Sequence, residues 1–152
     1  MLRRQLMLTV ALLPAAAARA AAPTWSLVTP DEVRRSMAMG PVSLPRSIEA
    51  PDAPAIQVIA PQDPNKPLTP PVTIRVQFKA QPGASIAVQT FQALYGFFNI
   101  DITSRLLQHA KVTADGLLAE NVDIPAGDHR VTLEISDNEG RMGTRTFKFT
   151  VA

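Results

Sequence analysis

Hydrophobic and polar residues alternate most regularly over Val72-Thr73-Ile74-Arg75-Val76-Gln77-Phe78-Lys79. Val72, Ile74, Val76 and Phe78 fall on one side of an extended chain; Thr73, Arg75, Gln77 and Lys79 fall on the other. That two-residue period is the mark of a strand with one buried and one wet face. Residues 129–135 repeat the pattern with Val131, Leu133 and Ile135 inward, and residues 144–151 repeat it with Phe147, Phe149 and Val151 inward. Weaker alternation predicts strands at 56–60, 85–88, 90–95, 99–103 and 118–122. Gln81-Pro82-Gly83-Ala84, Ala114-Asp115-Gly116, Pro125-Ala126-Gly127-Asp128 and Asp137-Asn138-Glu139-Gly140 carry turn residues between these runs, and Gly96 ends the run at 90–95. Residues 104–109 suit one helical turn or a crossover. Many short strands punctuated in this way predict an all-β sandwich or barrel over residues 55–152.

The pattern differs upstream. Residues 1–20 run from a basic start (Arg3, Arg4) through an apolar stretch to Ala18-Arg19-Ala20, the layout of an export signal. Cleavage is expected between Ala20 and Ala21. The apolar run is shorter than the about 20 residues a spanning helix needs, and Pro14 interrupts it, so no membrane span is expected. Arg3-Arg4 also fits a minimal twin-arginine pattern, which leaves the export route open.

Residues 21–40 form a short segment with a helix start. Thr29 can cap, Pro30 suits the first helical position and Glu32 completes a capping box. Val33 and Met37 then share a face. Residues 41–54 read as a linker, with Pro41, Pro45, Pro51 and Pro54 favouring extended backbone. Two helical turns are too short to stand alone. The apolar groups Trp25, Leu27, Val33 and Met37 therefore need a surface, either the sandwich or another molecule, and docking onto a partner is the expectation.

Composition narrows the function classes. Loss of Arg3, Arg4 and Arg19 with the signal leaves 12 basic and 13 acidic residues, a net charge near −1. The precursor's basic isoelectric point therefore does not argue for nucleic acid, and no Lys/Arg run is interleaved with aromatics. Cysteine is absent, which removes a lipid-anchor site and means the exported domain holds by burial rather than by disulfides. With 14 prolines, a bundle of long helices does not fit.

The stretches Ile124-Pro125-Ala126-Gly127-Asp128-His129-Arg130-Val131 and Ile135-Ser136-Asp137-Asn138-Glu139-Gly140-Arg141 resemble the last hairpin of bacterial immunoglobulin-like and fibronectin-type-III-like domains. Gly83-Ala84-Ser85-Ile86 and Asp101-Ile102-Thr103 are similar to the middle of such domains. The resemblance implies an immunoglobulin-like Greek-key sandwich of roughly seven or eight antiparallel strands. Its relatives often carry a corner tyrosine whose hydroxyl bonds nearby backbone. His129 stands there instead, and the resemblance implies that a ring nitrogen does the same work. The disulfide and core Trp of antibody domains are missing.

Chemistry-bearing patterns are sparse. His109 and His129 lack metal-ligand spacing, so no metal and no cofactor is expected. Asp137-Asn138-Glu139-Gly140 looks like part of a calcium loop but lacks a second acidic cluster. No cysteine, no Gly-x-Ser-x-Gly elbow and no clear carboxylate pair supports catalysis. Tyr95, Phe97 and Phe98 form a second docking candidate, because adjacent strand residues point opposite ways and one of the two phenylalanines is left outside. The sequence therefore points to a non-catalytic periplasmic or secreted interaction module whose partner is another exported or envelope protein. The alternative is a carrier of a small sugar or metal on the same scaffold.

Overall fold

The computed structural model describes residues 22–38 and 50–152. The export signal and its cleavage point at Ala20 and Ala21 lie outside the described residues, as does most of the linker. In chain order the elements are β1 (Trp25–Ser26), α1 (Pro30–Ala38), β2 (Ala55–Ala60), β3 (Val72–Lys79), β4 (Ile86–Tyr95), β5 (Ile100–Asp101), α2 (Thr103–Leu107), β6 (Lys111–Val112), β7 (Gly116–Asp123), β8 (Gly127–Asp137) and β9 (Met142–Val151). The chain is mostly β, with two sheets and two helices. One sheet runs β1-β7-β3-β2, with β6 also on β7; the other runs β5-β4-β8-β9.

Both sheets turn their apolar residues to one shared core. On β3 burial alternates without a break, and Ile74 and Val76 stand opposite Ala119 and Leu117 of β7. On the second sheet Tyr95 stands opposite Val131, and Val131 opposite Phe147. Phe78 and Phe91 meet across the gap with ring centroids 6.0 Å apart. This is sandwich-like packing, in which each strand's two-residue period feeds one apolar layer. Among the described residues no helix is long and apolar enough to cross a membrane.

Several elements differ from the sequence reading. The two expected strands at 85–88 and 90–95 are one, β4, which starts at Ile86 and whose ladder with β8 shifts register between Ala87 and Gln92. Thr90 fills the irregularity: its hydroxyl donates to the Ala87 carbonyl at 2.7 Å and accepts from the Ser136 amide at 2.8 Å. The alternation at 99–103 yields only the two-residue β5, because Asp101 Oδ1 captures the Thr103 amide at 2.8 Å and turns the chain into α2. Phe147, expected inside, is half-buried and stacks on Phe149 at 5.8 Å, since β9 is the sheet's edge.

The N-terminal segment finds its surface on the chain itself. Trp25 and Ser26 pair in parallel with Val122 and Asp123 of β7. Leu27 is 1% exposed and Val28 0%, and both join the core with Val33. The expected docking of Leu27 and Val33 onto another molecule is thereby replaced by burial inside this one.

Candidate functional site

The site grows from how α1 is seated. Its start is the capping box expected from sequence: the Thr29 amide donates to Glu32 Oε2 at 2.7 Å and the Glu32 amide to Thr29 Oγ1 at 3.3 Å. Arg105 of α2 then clamps that end, donating to Glu32 Oε2 at 2.9 Å, to Oε1 at 3.1 Å and to the Leu27 carbonyl at 2.8 Å. The Arg105 hydrogen bonds, helped by those from Thr29, lower the Glu32 carboxyl pKa to about 2, against the opposing effect of burial.

The other end of α1 rests on two glycines. Gly96, at φ +71°, lies so close to the helix that a Cβ there would sit 2.6 Å from Ser36 Oγ. Gly127, at φ +129°, would place a Cβ 2.6 Å from Met37 Cε. Both positions have a positive φ that favours glycine; a side chain at Gly96 would press on Ser36 and the helix end, whereas one at Gly127 would displace the flexible tip of Met37. Seated in this way, the end leaves Met37 50% exposed beside the β4–β5 turn, where Phe98 is 49% exposed.

Behind this surface runs a buried polar chain. His129 Nε2 lies 2.7 Å from the Pro125 carbonyl and Nδ1 lies 2.8 Å from the Tyr95 hydroxyl. A carbonyl only accepts, so Nε2 carries the proton; neutral Nδ1 then accepts from Tyr95. Burial pushes the His129 pKa below its ordinary 6.5, outweighing the Pro125 bond and the Asp128 charge. Burial, with Glu32 adding to it, pushes the Tyr95 hydroxyl up to about 12. The imidazole therefore stays neutral at pH 7, tying β4 to the turn before β8.

The outer face of the same strands is different. Arg130 stands directly opposite Lys148 in the β8–β9 ladder. Its guanidinium lies 5.1 Å from the Phe97 ring centroid, and its buried Nε has no hydrogen-bond partner among the described residues. Around this pair opens a cavity of about 460 Å³ lined by Met37, Pro64, Phe97, Arg130, Lys148 and Thr150, among others. A second groove, of about 390 Å³, lies between Arg35 and Ala38 of α1 and Phe98 and Ile100. Adjacent Phe97 and Phe98 therefore line different depressions.

The sequence-predicted residues separate by role. Leu27, Val33 and Tyr95 are core; Trp25 is half-buried, stacked on His109 at 4.6 Å and bonded through Nε1 to the Glu120 carbonyl at 2.9 Å. Met37, Phe97 and Phe98, from two stretches read as separate, line depressions beside the last turn of α1. Sequence reasoning missed Arg130 and Lys148. The alternation puts each on a wet face, but only the hairpin register sets them opposite one another. At the loop read as calcium-like, Asp137 Oδ1 accepts from the Glu139 and Arg141 amides and Oδ2 from Arg141 Nε at 2.7 Å, so local donors hold that carboxylate. Among the described residues no group of three or more His, Cys, Asp or Glu side chains is placed to hold a metal. Comparison with protein-family models, with curated proteins and with solved structures finds no match to this chain.

Proposed function

We propose that this chain is an exported, non-catalytic interaction module on an immunoglobulin-like scaffold, binding another envelope or secreted protein through the surface at the end of α1. The observation that carries the reading is the exposure of Met37 and Phe98 around a helix end packed closely against Gly96. Large apolar side chains exposed together beside open grooves are the usual anchors of a protein interface. Close packing of that end lowers the entropy lost on binding.

Two features support the scaffold reading. Across the sheets, the neighbours β2-β3-β7-β6 and β4-β8-β9 run in the order that strands A, B, E, D and C, F, G would have in an immunoglobulin-like sandwich. His129, near the start of β8, bonds backbone four residues upstream, as the hydroxyl of a corner tyrosine does. Export is supported by the basic, apolar and small-residue order of residues 1–20. Mass spectrometry of the secreted protein is then expected to give an N-terminus at Ala21, and intact Met1 on that material would contradict export.

The function is tested by affinity capture from an envelope extract. The mature chain is expected to enrich one protein, and a Met37→Ser, Phe98→Ser double variant of unchanged melting temperature is expected to lose it. Equal capture by both would overturn the assignment of this surface.

A further inference from the structure

We propose that the cavity around Arg130 and Lys148 is a carboxylate-binding site, and that its occupant is an acidic side chain of the partner protein with an apolar neighbour seated against Met37 and Phe97. The inference rests on the interaction-module reading and gives it a chemistry. Like charges directly opposite on a ladder repel, and natural sheets pair them with acids or avoid them. Arg130 and Lys148 are directly opposite, and none of the ion pairs among the described residues includes either one. Asp128, on the same face, also lines the cavity; its Oδ1 accepts from the Thr150 hydroxyl at 2.7 Å and it forms no ion pair with either cation, so the two cations still outnumber the one acid there. Thr132 and Thr146, the next pair on this face, bond each other at 2.9 Å.

The orphaned Arg130 Nε strengthens the case. Burying a guanidinium N–H without an acceptor is costly, and because Nε itself is closed to solvent an incoming carboxylate would meet the guanidinium through its terminal N–H groups, where Arg130 lines the cavity. Phe97, with its ring centroid 5.1 Å from the guanidinium carbon, gives the cation an aromatic neighbour at cation–π distance. A phosphate or a free organic acid would satisfy the cations equally. The apolar rim formed by Met37, Phe97 and Pro64 is what favours a peptide, in which an acid and an apolar side chain arrive together.

The test uses the 15N-labelled mature chain and two synthetic probes, acetyl-Phe-Glu-Leu-Asp-amide and its neutral counterpart acetyl-Phe-Gln-Leu-Asn-amide, with benzoate as a third. The acidic peptide is expected to move the Arg130 Nε–H resonance and the Lys148 amide, to bind at least tenfold more tightly than the neutral one, and to weaken as salt is raised. Arg130→Gln is expected to weaken it at least tenfold while leaving the melting temperature unchanged or higher, because a repulsive pair is removed. Equal binding of the two peptides, shifts confined to another face, or no effect of Arg130→Gln would overturn the site. Benzoate binding tenfold more tightly than the acidic peptide would overturn the peptide assignment. Partner capture separates the two levels. If Arg130→Gln retains the captured protein while the Met37, Phe98 double variant loses it, the carboxylate site fails and the module stands. If the unaltered chain captures nothing, the module reading itself fails.

Discussion

His129 and Arg130 are consecutive on β8 and show how differently the two faces of the second sheet are built. On the inner face His129 is 3% exposed and both ring nitrogens are engaged, one by Tyr95 and one by the Pro125 carbonyl. On the outer face Arg130 stands opposite another cation with a buried Nε unpaired among the described residues. Among the described residues the inner face satisfies the polar side chains it buries, while on the outer one Arg130 Nε has no hydrogen-bond partner and Arg130 and Lys148 no ion pair. Such a difference separates residues that hold the fold from residues free to meet something else.

The strongest break in the comparison comes from the inner side. Deleting residues 22–38 removes Leu27, Val28 and Val33 from the core and strips β7 of its parallel partner. Losing a buried Leu alone costs about 2–5 kcal/mol, and whole domains have only about 5–15 kcal/mol. Cooperative thermal unfolding is expected to disappear in the truncated chain. A truncated chain that melts like the parent would return the segment to a docking role.

Phe149→Ala comes next, expected to cost about 3–5 kcal/mol, because Phe149 is buried and stacks on both His129 and Phe147. Phe147→Ala, at the half-buried edge, is expected to cost less in the same denaturant titration. His129→Ala leaves the Tyr95 hydroxyl and the Pro125 carbonyl without their partner and opens a cavity. We expect a loss of about 2–4 kcal/mol, against less than about 1 kcal/mol for Arg130→Ala.

Acidity separates the faces as well. The folded His129 binds its proton below the 6.5 of an unburied imidazole, so the unfolded chain takes the proton first. Its contribution to stability is complete above pH 6.5 and declines as the pH falls below that value. The melting temperature is expected to fall through this range, and a His129→Gln variant to show a flatter profile there. Glu32 acts in a lower window. Its carboxyl drops from 4.5 to about 2 in the folded chain, so its contribution is complete above 4.5 and is lost as the pH falls toward 2. Identical profiles for the parent and the His129 variant between pH 6.5 and 5 would remove the histidine from the account. The smallest effect belongs to the outer surface, where Met37→Ser and Phe98→Ser are each expected to change stability by less than about 0.5 kcal/mol.

Local pattern made much of this legible. The eight-residue alternation at Val72–Lys79 reports one wet face, and β3 has one. The capping box at Thr29 and Glu32 depends only on three-residue spacing, and it forms. Phe97 and Phe98 line different depressions, but they do so from the β4–β5 turn and not from the alternation of a strand. What the sequence left open depends on contacts between distant residues. The seating of α1 depends on Gly96 and Gly127, far along the chain and at left-handed backbone angles. The fate of Leu27 depends on the edge of β7, a strand whose alternation is weak. Arg130 and Lys148 meet only through the register of a hairpin, and nothing in either stretch alone sets that register.

The central claim, that the surface at the end of α1 is where this chain meets a partner, is tested most directly by site-specific photocrosslinking in the native host. A photoreactive benzoylphenylalanine is placed at position 98, at position 37 and, as a control, at Ile59 on the opposite sheet, whose side chain is also exposed. One crosslinked protein shared by positions 98 and 37 and absent from position 59 is the expected result. No adduct at positions 98 and 37, or the same adducts from all three, would contradict it.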